Sequence, residues 1–382
     1  MYFVKKIGSF FLVLSIILGL VYLKPLDKVY AAPLTATIDF TDTSLILGET
    51  TTVTFTFSEA VIGFTTHALT VPNGTLSGLS SSDGGFTWTA TLTPNMNVEE
   101  KNNVITLDYS GVATSGGEAG TGTTTSNTYD VDTIRPSVVI TTSSPQIKIN
   151  ETTTVTFTFS EAVSGFTLAD LIVPNGTLSG LVLLPEGRLG TATFTPYMNI
   201  NDPSNVITLD NTRLTDLAGN TGVGTTHSDN FKIDTDRPTS SIKVDDTTLK
   251  AGEHATVTIK FSEAVTGFTN ADLSVMSGTV GPLSTSDNIT WTTTLTPHMN
   301  VTTATNVVTL DNASVADTAG NLGDGISTSN NYVVDTVRPT ATITAATPSL
   351  TAGMSSTVAL SFPLNGGIYK VTRLQGKIID GG

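Results

Sequence analysis

Carboxylates recur in this chain at matched places. Asp132, Glu161, Asp170 and Asp216 form one series. Asp234, Glu263, Asp272 and Asp317 form a second, offset by 101 or 102 residues, and Asp236 joins it. Paired carboxylates can act as general acid and base, and grouped carboxylates can bind a hard cation. The remaining residues do not support catalysis. His67, His227, His254 and His298 fall at non-equivalent places in the repeat, and no two have metal-ligand spacing. Isolated histidines of this kind are ordinarily solvated. The chain has no Gly-x-Ser-x-Gly elbow and no phosphate loop. Ser58 and Glu59 are adjacent, so on a strand they point to opposite faces. With no cysteine, disulfides, thiol catalysis and Cys-ligated zinc are excluded. A non-enzymatic chain is expected, with calcium as the cofactor if the carboxylates converge.

Convergence requires a scaffold, and the repeat defines it. Phe-Ser-Glu-Ala-Val occurs at 57–61, 159–163 and 261–265, with both spacings 102 residues. That period is too long for a solenoid unit and suits one autonomous β-sandwich. Within each repeat, apolar and threonine residues alternate. Val53, Phe55 and Phe57 interleave with Thr52, Thr54 and Thr56, and Val257, Ile259 and Phe261 repeat the pattern. This is the period-two signature of a strand with one buried face. Phe86, Trp88, Ala90 and Leu92 form another such series, which predicts that Trp88 and its counterpart Trp291 lie in the core. The second repeat has Gly190 in the place of Trp88, and Val182, Leu183 and Leu184 are candidates to fill the gap. Asn73-Gly74 and Asn175-Gly176 read as hairpin turns. Later strands run through 103–108, 205–210 and 306–311, and each repeat closes on Asp-Thr-x-Arg-Pro at 132–136, 234–238 and 335–339. About seven short strands per repeat and no helical period predict an all-β chain of tandem immunoglobulin-like sandwiches in an extended array.

That topology places the acids. The first strand leaves the N-terminal pole and the second returns to it. The loop after the second strand, the loop between the last two strands and the incoming linker therefore share one pole. In the second repeat this gathers Glu161, Asp170, Asp216 and linker Asp132; in the third, Glu263, Asp272, Asp317 and linker Asp234 and Asp236. The first repeat keeps Glu59 but has Ala68 and Thr114 where the other acids would be. Like charges at close quarters repel, and a cation relieves this. Two other readings remain open. Linker aspartates cap turns through their own backbone, so Asp-x-Ala-Gly-Asn could be only a tight turn. Arg135 or Arg237 could neutralise part of the cluster.

Residues 1–31 read as a secretory signal. Lys5 and Lys6 precede an apolar run over 7–23, and Val29-Tyr30-Ala31 fits a cleavage site. Its removal takes four lysines and Asp27, moving the formal charge from −15 to −18. Such a chain is not expected to bind nucleic acid or an anionic membrane surface.

Phe-Thr-Phe-Ser-Glu-Ala-Val, Gly-Phe-Thr-x-Ala-Asp-Leu, Asp-x-Ala-Gly-Asn and Asp-Thr-x-Arg-Pro together resemble the bacterial Ig-like repeats of large surface adhesins and biofilm-associated proteins. The resemblance covers residues 34–362. It implies stalks that project a binding domain, with calcium at the junctions of several kinds. The expected organisation is a signal at 1–31, Ig-like domains at 34–134, 136–236 and 238–337, and an incomplete fourth repeat at 339–382. The fourth follows the pattern through Phe362 and then departs from it, the mark of a disordered tail or of a truncated or frame-shifted sequence. The expected role is a secreted or cell-surface stalk, a monomeric rod on the order of 100–130 Å long if each domain contributes about 35–45 Å. Its partner would be a surface glycan or protein. The alternatives are a glycan-binding module and an accessory region of a polysaccharide-active enzyme.

Overall fold

The computed structural model describes residues 32–346, 356, 358–364 and 367–372. The expected signal at 1–31 lies outside the described residues. Within them the chain is built of strands and three-residue 3₁₀ turns, and no described helix is long and apolar enough to cross a membrane.

The first domain shows the plan. Its strands are β1 (Ala36–Phe40), β2 (Ser44–Ile46), β3 (Thr51–Phe57), β4 (Val61–Ile62), β5 (Leu69–Thr70) and β6 (Gly74–Ser81). They continue as β7 (Thr87–Pro94), β8 (Glu99–Asn103), β9 (Thr106–Asp108), β10 (Ala113–Thr114), β11 (Thr123–Thr125) and β12 (Tyr129–Asp132). One sheet has the order β1-β3-β7-β6. The facing layer is β2-β12-β8, continued by β11-β9-β5. Joining β1 to β2, β8 to β9 and β11 to β12, and setting aside the separate two-residue pair β4 and β10, leaves seven strands in the immunoglobulin order, with the first strand shared between the sheets. Its second half, β2, runs parallel to the last strand, Asp132 opposite Ile46. The second domain repeats the plan from Val138–Thr142 to Phe231–Asp234, and the third from Ser240–Val244 to Tyr332–Asp335.

Alternation builds the core. In β3, Val53, Phe55 and Phe57 are buried, while Thr52 and Thr56 face solvent. Three separate apolar clusters result, from Leu34 to Val131, Val138 to Ile233 and Ile242 to Val334. In the first, Phe64 meets Phe55, Phe57 and Trp88 edge to face, the last at 5.4 Å and 89°. Trp88 and Trp291 are partly buried against their cores. Phe86 precedes its strand and is exposed. Of the run 182–184, Leu183 lies over Gly190, with Leu181 and Phe157 beside it, whereas Val182 and Leu184 do not reach it; all three of the run are exposed.

Asn73-Gly74 is not a hairpin turn. Asn73 has the positive φ of 55° that the dipeptide favours, but it links β5 in one sheet to β6 in the other. A left-handed residue serves any sharp corner. Here Asn73 Nδ2 also donates to Asn103 Oδ1 at 2.8 Å, tying the corner to β8. In the fourth repeat, Thr342–Ala345 pairs with Val358–Leu364, as the first two strands of every domain do. The divergent segment Gly367–Thr372 takes the other edge of Val358–Leu364, where a complete domain places its long fifth strand.

Separate cores predict separate unfolding. Phe157 is wholly buried in the second cluster, and Phe157→Ala is expected to cost about 3–5 kcal/mol. Calorimetry of the chain from Ala32 onward should show one transition lowered and those of the neighbouring domains unmoved.

Candidate functional site

The last strands of the first and second domains run into the pole of the domain that follows, where two loops wait. In the second domain these are the loop after Thr153–Phe159 and the loop before Thr225–His227. Short strands clasp them together, Val163–Ser164 pairing with Thr215–Asp216. The second loop is an aspartate-closed turn. Asp216 Oδ1 accepts from the amides of Gly219 at 2.6 Å and Asn220 at 2.8 Å, and the Asp216 amide donates to the Asn220 carbonyl. Gly219 has φ of 116°, which glycine alone adopts without strain, and it faces Ile46 of the preceding domain.

Asn220 is the polar key of the joint. Its Oδ1 accepts from the Leu47 amide of the first domain at 2.9 Å. Its Nδ2 donates to the Asp132 carbonyl at 3.0 Å and to Asp216 Oδ2 at 2.8 Å. Arg135 reaches past it and donates to the Thr221 carbonyl. The second joint repeats each contact. Asn321 Oδ1 accepts from the Ile149 amide at 2.8 Å, and Asn321 Nδ2 donates to the Asp234 carbonyl at 2.9 Å and to Asp317 Oδ2 at 2.7 Å. Arg237 donates to the Leu322 carbonyl at 2.6 Å.

Around each key the carboxylates gather. Asp132, Glu161 and Asp216 each offer an oxygen within 4.8 Å of the others, and so do Asp234, Glu263 and Asp317. Asp216 and Asp317 are buried, at 2% and 1% exposure. Glu161 is 7% exposed, and its Oε1 is buried with no hydrogen-bond partner. Burial pushes its carboxyl up to about 7, with Asp216, Asp132 and Glu99 adding repulsion and Arg188 opposing it. Glu263 is raised to about 7 by burial and then by Asp317, Asp234 and Asp236. Asp132 and Asp234 are also raised, again chiefly by burial.

Of the nine carboxylates singled out in the sequence, six form these two clusters. Asp170 and Asp272 lie outside them. Each closes the 3₁₀ turn on which it sits, accepting from the amide and hydroxyl of Thr167 or Thr269. Asp236 lies outside the second trio but lines the adjoining cleft with Glu263, Arg237 and Asn201. The arginines spend hydrogen bonds on loop carbonyls of the following domain. Sequence reasoning passed over Asn220 and Asn321 as ligands of the joint, although both stand in the motif Asp-x-Ala-Gly-Asn. In the first domain the corresponding loop carries Thr114 and Glu118, and Glu59 is exposed.

The donor set fits a hard cation. All three groups are carboxylates, and oxygens bound to one calcium at 2.3–2.6 Å lie up to about 5 Å apart. Asp132, Glu161 and Asp216 would hold the ion at the first joint, and Asp234, Glu263 and Asp317 at the second.

The profile of the bacterial Ig-like domain family matches residues 31–131, 132–233 and 234–334. The chain belongs to that family. Among solved structures it is similar to the Escherichia coli adhesin FdeC, at 15% identity over 80% of this chain and 99% of that one, with a TM-score of 0.35. A three-domain segment of titin, I67–I69, is similar at 10% identity over 80% of this chain and all of that one, TM-score 0.38. The Yersinia pseudotuberculosis adhesin InvE is similar at 17% identity over 58% of this chain and 66% of that one, TM-score 0.23. No curated protein is matched.

The raised glutamates give a pH signature in the absence of divalent cations. Unfolded, Glu161 and Glu263 titrate near 4.5; folded, near 7. Between these values the folded state holds protons that the unfolded state has lost, so stability falls as pH rises through the window and levels off above about 7. Thermal unfolding in chelator from pH 5 to pH 8 should show this fall, and Glu161→Gln with Glu263→Gln should flatten it. A midpoint that rises across the window in both proteins contradicts the assignment.

Proposed function

We propose that this chain is a non-catalytic, secreted or cell-surface stalk or adhesin segment whose joints are stiffened by calcium. The observation that carries the reading is Glu161. Its Oε1 is buried without a donor, inside a cluster of three carboxylates contributed by two domains. Burying an unpaired carboxylate is costly, and such a group ordinarily neutralises or finds a cation. Calcium would be bound by Asp132 from one domain and by Glu161 and Asp216 from the next. Ordering one domain against the next is then part of the binding free energy.

Three further features support the reading. Tandem domains of this family have length as their main product. The clusters sit at the two joints, and the first domain keeps only Glu59 of their acids, with Thr114 in the place of Asp216. The leader-like segment at 1–31 and the acidic, cysteine-free chain suit export. Ligand recognition, of a glycan or a surface protein, would belong to other surfaces than the joint.

Chelation should therefore act on the joints. In the chain from Ala32 onward, removing calcium is expected to lower the melting temperature and to broaden the distance distribution in small-angle scattering. Asp132→Ala combined with Asp234→Ala should abolish both responses. Identical melting and scattering with and without calcium would sink the proposal.

A further inference from the structure

The strand pairing of the second domain gathers four aliphatic side chains on one outward face. Its first sheet runs in the order Val138–Thr142, Thr153–Phe159, Leu189–Pro196, Gly176–Leu183. Register sets Val139 opposite Thr158 and Thr158 opposite Leu189, and the Leu184 amide donates to the Leu189 carbonyl. Val139, Thr158, Leu189 and Leu184 therefore form one row across the sheet. The next row on the same face is Thr141, Thr156, Thr191 and Val182. Their neighbours Ile140, Phe157 and Ala192 fill the core, so both rows point away from it. Val139, Val182 and Leu184 are 61%, 57% and 49% exposed, and Leu189 is half-buried.

The other two domains supply the contrast. In the first, the places of Val139, Leu189, Leu184 and Val182 belong to Thr37, Thr87, Ser82 and Ser80. In the third they belong to Ser241, Thr290, Ser286 and Ser284. Charge differs as well. The matching rows hold Asp39 in the first domain and Lys243 and Lys260 in the third, whereas those of the second hold no charge. Beside them, Glu186 and Arg188 share the hairpin turn and offset each other. Asp170 is engaged in closing its own 3₁₀ turn. Core packing does not account for the aliphatic residues, because Val182 and Leu184 do not reach Gly190.

We infer that this face pairs two copies of the chain, sheet against sheet, through their second domains. Two-fold symmetry makes the same patch serve on both sides, so aliphatic rows meet aliphatic rows. Removing them from water drives the contact. Charge selects the occupant. The chain carries a formal charge of −15, so two copies repel over most approaches. On these rows no like charges meet. A basic or acidic partner finds no counter-charge there, and a glycan finds no aromatic ring to stack on. Area sets the strength. Four strands about 4.8 Å apart, each about seven residues long, present a face on the order of 450 Å², or about 900 Å² for a pair. A standard stable interface needs roughly 1,200 Å² or more. The pairing is therefore weak: the rod is single when dilute and paired when crowded. It does not depend on calcium at the joints.

The test is analytical ultracentrifugation of the chain from Ala32 to Gly382, with chelator present, at rising concentration. A monomer–dimer equilibrium with Kd on the order of 0.1 mM is expected. Val139→Lys with Val182→Lys should weaken it by about 10-fold or more, and so should Val139→Glu with Val182→Glu. Mixing these two variants should restore a dimer, since opposite charges then meet. Both positions are exposed, so the melting transitions should stay in place. A third variant, Val139→Thr with Val182→Ser and Leu184→Ser, installs the first domain's residues and should weaken pairing without adding charge. A chain that stays monomeric to about 1 mM overturns the inference and leaves the face to a different partner. A dimer that survives all three variants also overturns it and moves the contact elsewhere, for instance to the edge strand Gly367–Thr372.

Discussion

Electrostatic repulsion among carboxylates packed into a shared volume is the constraint on which each joint turns. Asp132, Glu161 and Asp216 come from three chain segments, and none of the three can leave without cost elsewhere. Asp216 holds the turn from Asp216 to Asn220 closed through two amides. Asp132 is the end of a strand whose carbonyl accepts from Asn220. Glu161 follows the second strand of a sandwich whose register is set by buried Val155, Phe157 and Phe159. The core of one domain and the exit strand of another thus press like charges together. Burial removes the water that would screen them. A proton relieves this at one carboxylate. A divalent cation would relieve it at all three and would link the two domains in doing so.

The hydrogen bonds of the joint position the domains without neutralising it. Asn220 is uncharged, yet it satisfies an amide and a carbonyl of the first domain and a carboxylate of the second. Its exposure is only 3%, and loss of any one partner would strand a buried polar group. Arg135 is cationic, but its recorded hydrogen bond goes to the Thr221 carbonyl. The joint is therefore held in register by neutral contacts and left electrostatically unfinished.

Much of this was legible in the sequence because two different periodicities were present. The 102-residue repeat counted the domains, and the threonine alternation marked the buried face of each strand. Once the sandwich order was inferred, the pole shared by linker and loops followed from strand direction alone, and this located Asp132, Glu161 and Asp216. Short polar motifs were less legible because their residues serve two masters. Asp170 falls in a loop at the correct pole, but a Thr two residues before a 3₁₀ turn's centre claims it as a cap. Asn73-Gly74 has the backbone of a hairpin and the job of a corner. Asn220 could be read as the end of a tight turn, and it is one; that its side chain also spans to the preceding domain depends on how closely two domains approach. No pattern within one repeat encodes that distance.

The first domain shows how little must change to end such a joint. It keeps the sandwich, the clasped loops and even the glutamate of the repeated motif. Thr114 stands where Asp216 does, and its amide still closes the turn on the carbonyl of Glu118, as Asp216 does on Asn220. The turn therefore forms without the acid, so turn formation alone does not account for the aspartate in the later domains. The key asparagine is also gone, and Glu118 in its place offers no side-chain donor to a neighbour's carbonyl. The repeats thus conserve their cores within the chain while varying the pole. The surface that faces a preceding domain is polar, acidic and keyed in two domains. In the first domain Glu59 is exposed, where an isolated carboxylate costs little in desolvation.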